Sequence, residues 1–257
     1  MKNLWHYRQL LYFLIVRDIK VRYKQTTIGI AWALLKPIIT MVVFTFLFGT
    51  LTQSSVGAIP YSIFVFFGLL LWNVFYQSVI NCSESIVSNQ SLITKVYFPR
   101  IILPLSAVMV ALIDFFIASL IFIILLLFFH FTLDIRSIVL IPVGVISITT
   151  LGLGVGILLA ALNVRFRDIR FLVPFALQLL LFVTPIIYPM SFVSARLQIL
   201  MLINPLALII NTIRETTLQG NPLNFIHLIT GMLLSGLTLI GGIMFFQRKE
   251  HEFVDLI

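Results

Sequence analysis

The chain predicts an all-α integral membrane protein of six transmembrane helices, and three observations carry that prediction. Its 257 residues are 60% hydrophobic and 10% charged with a mean hydropathy of +1.12, whereas soluble domains are about 25% charged. Charge is absent from Pro37 to Ser83, Ser137 to Val164, Phe171 to Ala195 and Thr216 to Gln247. About 20 apolar residues carry a helix across about 30 Å of hydrocarbon, and every one of these gaps is long enough. The 17 basic residues gather in short patches beside the apolar runs, which orients a chain in a bilayer and does not form the basic stripe of a nucleic-acid binder.

The N-terminal segment, 1–29, reads as an amphipathic helix in the membrane interface. Leu4, Leu11, Ile15 and Ile19 recur at helical spacing, with Trp5, Tyr7 and Tyr12 nearby and Arg8, Arg17, Lys20, Arg22 and Lys24 interleaved. These charges also argue against a cleaved signal peptide. The first span is expected over 30–52, with Lys36 placed to snorkel to the headgroups, and the second over 60–81 after a turn-like Gln53 to Gly57. Residues 83–98 are too polar to span. They carry Ile86, Val87, Leu92, Ile93, Tyr97 and Phe98, enough for a short cytoplasmic helix with one apolar face.

Further spans are expected over 101–131, 138–162, 171–188 and 223–246. Between the last two, Leu197 to Ile213 is charge-free but holds Asn204-Pro205 at its centre. Proline removes a backbone donor and clashes with the preceding turn, so residues 190–222 read as two short outer helices, re-entrant or interfacial. Six spans put both termini on one side. All basic residues but Arg136, Arg196 and Arg214 then share that side, which makes it the cytoplasm.

Much chemistry is missing. No lysine follows the glycine pattern of a P-loop, so no ATP binds by that device. His6, His130, His227 and His251 are isolated, no nucleophile elbow occurs, and Asp18, Glu84 and Asp168 are scattered; these exclude the common zinc, hydrolase and metal-diphosphate arrangements. The single Cys82 forms no internal disulfide. Catalytic, cofactor and metal residues are therefore expected to be absent. Asp114 is the one ionisable group deep in a span. It reads either as a proton-coupling group or as a hydrogen-bonded packing residue with Asn73, Gln77 or Gln178, because the spans offer no lysine or arginine as an evident partner. Gly152, Gly156 and Ala160 form a small-residue stripe suited to close helix contact, within the chain or between copies.

Three pieces in order carry a resemblance: Arg17 to Trp32 with Lys36-Pro37, the stretch Asn81 to Arg100 ending Lys95-Val96-Tyr97-Phe98-Pro99-Arg100, and the turn Leu162 to Ile169. Together they resemble the permease subunits of ATP-binding-cassette exporters of O-antigen, capsule and teichoic acid, over essentially the whole chain. The resemblance implies a homodimeric channel in the bacterial inner membrane, driven by two cytoplasmic ATPase subunits that hold ATP and Mg. It implies a lipid-linked polysaccharide as cargo and an outer gate at 190–222, about Asn204 and Pro205.

Coupling to the ATPases then falls to Glu84, Lys95, Arg100, Arg165, Arg167, Asp168 and Arg170. Sugar C–H faces stack on aromatic rings, which selects Trp72, Phe75, Tyr76 and Tyr188 for the pathway because polar neighbours suggest a wetter face. Two other functions remain open at this stage: an ATP-binding-cassette exporter of another lipid or drug, and a proton-coupled carrier using Asp114.

Overall fold

A computed structural model describes residues 7–24, 31–56 and 59–250. Among them the chain is helical with no strand. The helices are α1 (Arg8–Lys24), α2 (Ala31–Val56), α3 (Tyr61–Ser88), α4 (Gln90–Ile93), α5 (Ile102–Phe128), α6 (Ser137–Arg165), α7 (Ile169–Val183), α8 (Ala195–Met201), α9 (Pro205–Gln219) and α10 (Phe225–Lys249), with a 3-10 turn at Met190–Phe192. Leu4, Trp5, the Gln25 to Ile30 part of the first motif and His251 lie outside the described residues.

Four helices are long and apolar enough to cross a membrane: α3, α5, α6 and α10. The other two expected spans correspond to the apolar stretch Leu34–Thr50 of α2 and to Ile169–Val183, which is α7. At about 1.5 Å per residue a 15-residue helix falls short of the hydrocarbon thickness. Its early end has a local cause. Thr184 precedes Pro185, whose ring disfavours helical backbone at the residue before it, and Thr184 is extended at φ −83°, ψ 133°.

α3 is the hub. In its most apolar window 78% of residues are buried, against 22% in α10, and it packs on α2, α5, α6, α7 and α9. Phe66 and Phe67 of α3 meet Phe122 of α5 at ring distances of 6.2 and 5.4 Å. The small-residue stripe of α6 contacts the same chain. A Cβ on Gly152 would lie 2.7 Å from Ser78 Cβ, and Gly156 faces Cys82 at still closer range. On the opposite side of α6, Gly154 lies against the α10 backbone at Leu239 and Gly242. Glycine on both faces lets α6 pack tightly between α3 and α10.

Two boundaries differ from the sequence reading. The helix expected over 83–98 is instead the end of α3 followed by the four-residue α4. Ser83, Ser85 and Ser88 bond back to the carbonyls of Ile80, Cys82 and Glu84 at 2.7–2.8 Å, so these polar residues continue the helix instead of breaking it. Asn89 ends it, its amide donating to Ser85 O at 2.8 Å. Likewise α2 runs through the expected turn at Gln53 as far as Val56.

α9 begins where the dipeptide Asn204-Pro205 requires. Asn204 Oδ1 accepts from the Leu206 amide at 3.0 Å and Pro205 takes the first helical position, the favoured pairing of cap and proline. Gly220 closes the helix at φ 69°, where a side chain would be strained. The helix between is among the most buried in the fold, with Leu206 to Arg214 continuously inside.

Candidate functional site

α1, expected to lie in the membrane interface, reaches the interior through its last turn. Leu14 of α1 is buried, Tyr12 and Phe13 are exposed, and α1 lies along α5. One face thus packs on protein while aromatic and basic side chains face outward, as at a headgroup layer. Further along the packed face, Arg22 Nη2 reaches Asp114 Oδ2 at 2.7 Å, the two side chains being 32% and 15% exposed. The same nitrogen donates to Gln77 Oε1 at 3.3 Å, and the Tyr23 hydroxyl donates to Asp114 Oδ1. Burial, then the Asp114 carboxylate, push the Tyr23 phenol above its usual range, so it stays protonated and donates.

This corrects the sequence reading of Asp114. Its partner is an arginine, supplied by α1 and not by a span. Gln77 completes the network by bonding Arg22, while Asn73 lines the adjoining cavity. The signal was the i, i+1 pair Arg22-Tyr23 at the end of an interfacial helix, which spacing alone could not aim at Asp114.

That network stands at one end of a cavity of 380 Å³ between α1, α2, α3 and α5. A second cavity, of 480 Å³, lies on the α7 side. Trp72 and Tyr76 line it together with Gln178, Pro174 and Phe175, and their rings are 6.4 Å apart. Lys36, Thr40 and Asn73 line both cavities, and the Lys36 ammonium lies 5.3 Å from the centre of the Tyr76 ring, within cation–π range. Of the four aromatics selected from sequence, Phe75 is buried in the core. The Tyr188 hydroxyl donates to Phe182 O at 2.8 Å, capping the end of α7. Neither lines this cavity.

Nearer the C-terminal end of α3, Glu84 Oε1 stands 3.5 Å from Arg170 Nε at the start of α7. The structure therefore joins two expected coupling segments by an ion pair. Arg100 donates through its backbone amide to Glu250 Oε1 at 3.2 Å and through its guanidinium to Glu250 O. Lys95, Tyr97, Arg100 and Glu250 line a cleft of 600 Å³, where Tyr97 is 93% exposed. Arg165, Arg167 and Asp168 are exposed in the turn before α7, with Arg165 5.4 Å from the Phe166 ring. They do not meet the Glu84–Arg170 pair. These charges and apolar rings form a surface, and no metal-binding cluster occurs among the described residues.

At the far end of the bundle the sequence reading missed Arg214. Sequence reading uses Arg214 only as one of three basic residues on the outer side and gives it no partner, whereas it is 1% exposed. Its guanidinium donates to Pro185 O, Ile186 O and Asn211 Oδ1 at 2.8, 3.0 and 3.1 Å and stacks 3.8 Å from the Phe64 ring centre. Asn204 adds a bond to Thr184 Oγ1 at 3.0 Å. Arg214 and Asn204 thus tie α9 to the loop after α7. Gly68 leaves room for this: a Cβ there would stand 3.0 Å from Ile186 O and 3.3 Å from Arg214 Nη1.

Comparison with known proteins places the chain in a family. Residues 9–218 match the membrane-domain family described as ABC-2 type transporter. The chain belongs to the ABC-2 transporter membrane family. It is 31% identical to the O-antigen export system permease protein RfbA of Myxococcus xanthus, covering 100% of this chain and 98% of that one. It is 27% identical to the RfbA permease of Klebsiella pneumoniae over 99% and 97% of the two chains. The polysialic acid transport protein KpsM of Escherichia coli is 23% identical over 93% and 92%. The ABC-2 match begins within α1 and ends within α9, so nearly all of α1, the Arg22–Asp114 pair and the Arg214 clamp fall inside the family's common region.

Proposed function

We propose that this protein is the permease subunit of an ATP-binding-cassette exporter that moves a lipid-linked polysaccharide, O-antigen above all, across the bacterial inner membrane. The observation that carries the reading is the full-length similarity to O-antigen export permeases. Two copies form the channel and two cytoplasmic ATPase subunits drive it, holding the ATP and Mg for which this chain has no P-loop. Both termini face the cytoplasm.

In this reading ATP-driven closure of the partner subunits presses on the 94–100 cleft and on the turn at 165–170. Glu84 and Arg170 pass the displacement between α3 and α7, changing the populations of open and shut channel. Lys95, Arg100, Arg165, Arg167 and Asp168 supply the contact surface. Trp72 and Tyr76 offer stacking faces to a passing glycan, Gln178 and Asn73 offer amides, and α8 and α9, hinged at Asn204-Pro205, act as the outer gate.

The test is removal of the chain from its host with an inactive or intact copy restored. Loss should strand finished glycan on the inner face of the inner membrane, and the intact copy should return it to the surface. The purified chain should hydrolyse no nucleotide by itself and should stimulate hydrolysis by the ATPase encoded with it. Unaltered glycan display after deletion, or nucleotide hydrolysis by the pure chain, would overturn the reading.

A further inference from the structure

The 380 Å³ cavity between α1, α2, α3 and α5 is mixed in chemistry. Its lining includes the polar side chains Arg22, Tyr23, Lys36, Asn73, Gln77 and Asp114 and, interleaved with them along the helices, the apolar Ile39, Leu70, Val74, Ala111 and Phe115. The sugar portion of a cargo has no use for so apolar a wall, and a packing defect has none for two cations. An amphipathic occupant uses both.

Charge decides the sign of its head. Arg22 is paired with Asp114 at 2.7 Å, and Gln77 and Tyr23 complete that pair. Lys36 carries no ion pair among the described residues, and its ammonium lies 5.3 Å from the centre of the Tyr76 ring. With Arg22 and Lys36 against Asp114 the cavity holds one net positive charge. A phosphodiester carries one negative charge and accepts hydrogen bonds from ammonium, guanidinium and amide together. Lys36 is exposed, on a helix whose neighbouring side chains Leu35, Ile39 and Val43 are also exposed apolar groups. Such a flank suits a hydrocarbon layer, where lysine stems lie along apolar surface and the ammonium meets headgroups.

We propose that this cavity binds the phosphate headgroup of a membrane lipid. Lys36 and Asn73 hold the phosphate, Arg22 is shared between it and Asp114, and the acyl or prenyl chain lies along Ile39 and Leu70. Asp114 competes with the lipid for Arg22, so the carboxylate sets the affinity. Because Lys36 and Asn73 also line the aromatic cavity, a headgroup held there lies beside Trp72 and Tyr76.

The proposal is tested with the full chain in phosphatidylcholine nanodiscs, measuring by electron spin resonance how spin-labelled phosphatidylglycerol and spin-labelled phosphatidylcholine associate with it. Phosphatidylglycerol should associate about threefold to fivefold more strongly. Lys36→Gln, at an exposed position, should bring that ratio close to one, whereas Asp114→Asn, which frees Arg22, should raise it. A merely structural role for Asp114 cannot produce that opposite sign. Equal association of the two lipids with the unaltered chain, or a ratio unmoved by Lys36→Gln, overturns the proposal. A lowered ratio in Asp114→Asn overturns the competition between carboxylate and phosphate. Displacement of the labelled lipid by millimolar glycerol phosphate assigns the cavity to free phosphate and overturns its assignment to a lipid.

Discussion

Arg214 shows what one residue does when its surroundings invert its usual role. Burying a guanidinium is expensive unless its donors are satisfied. Here two carbonyls freed by the break after α7 and the Asn211 side chain accept from its two terminal nitrogens, and Phe64 covers its face, while Nε stays buried without a hydrogen-bond partner. The α7 break and the arginine therefore need each other. Arg214→Met keeps much of the volume but leaves the Pro185 and Ile186 carbonyls without their donor. It should lower stability by about 2–4 kcal/mol, read as a lower melting temperature of the detergent-solubilised protein; an unchanged melting curve would exclude the clamp. The Arg22–Asp114 pair is less enclosed. A double-mutant cycle with Arg22→Gln and Asp114→Asn should give a coupling of about 1–2 kcal/mol by the same measurement, and additive effects would show the two to be energetically independent.

Among the elements, α6 is the most constrained, held between α3 and α10 by glycines on both faces. Gly152→Val places atoms against Ser78 and should cost about 1–3 kcal/mol, seen as earlier thermal unfolding. Gly236, with open space about its Cβ position, should accept alanine without loss, and destabilisation there equal to that at Gly152 would refute close packing as the cause. The helical spacing of α1 was legible in the sequence, but apolar and polar residues are spread around the helix, with Leu14 its one buried residue among those described. Its last turn carries charged and phenolic groups into the bundle, and only the path of the chain between α1 and α5 decides that they meet Asp114.

For the molecule as a whole, the Glu84–Arg170 pair links the inner end of α3 to the start of α7. Both side chains are largely exposed, so the pair should stabilise the fold by less than about 1 kcal/mol. Its importance should appear in coupling. Glu84→Arg or Arg170→Glu should reduce stimulated ATP hydrolysis by the partner ATPase while leaving membrane insertion intact, and the double exchange should restore much of it; equal hydrolysis in all three would remove the pair from the coupling path. Charge reversal at Arg167 or Asp168 should likewise lower stimulated hydrolysis, because these side chains are exposed for contact and bear no load in the fold.

Composition and the spacing of charges by themselves determined that the chain is a helical membrane protein, where its apolar segments lie, and that it carries no P-loop. They do so because the bilayer imposes length and hydropathy on every crossing helix. The break at Asn204-Pro205 was equally legible, since proline's missing donor acts locally. Tertiary structure alone decided that Arg214 is interior, that Asp114 is paired with Arg22, that Trp72 and Tyr76 share a cavity which Phe75 and Tyr188 do not line, and that the glycine stripe of α6 serves this chain's own packing. Each of these depends on which residues distant in sequence are brought within a few ångströms, and the local rules of helix length, capping and hydropathy carry no information about that.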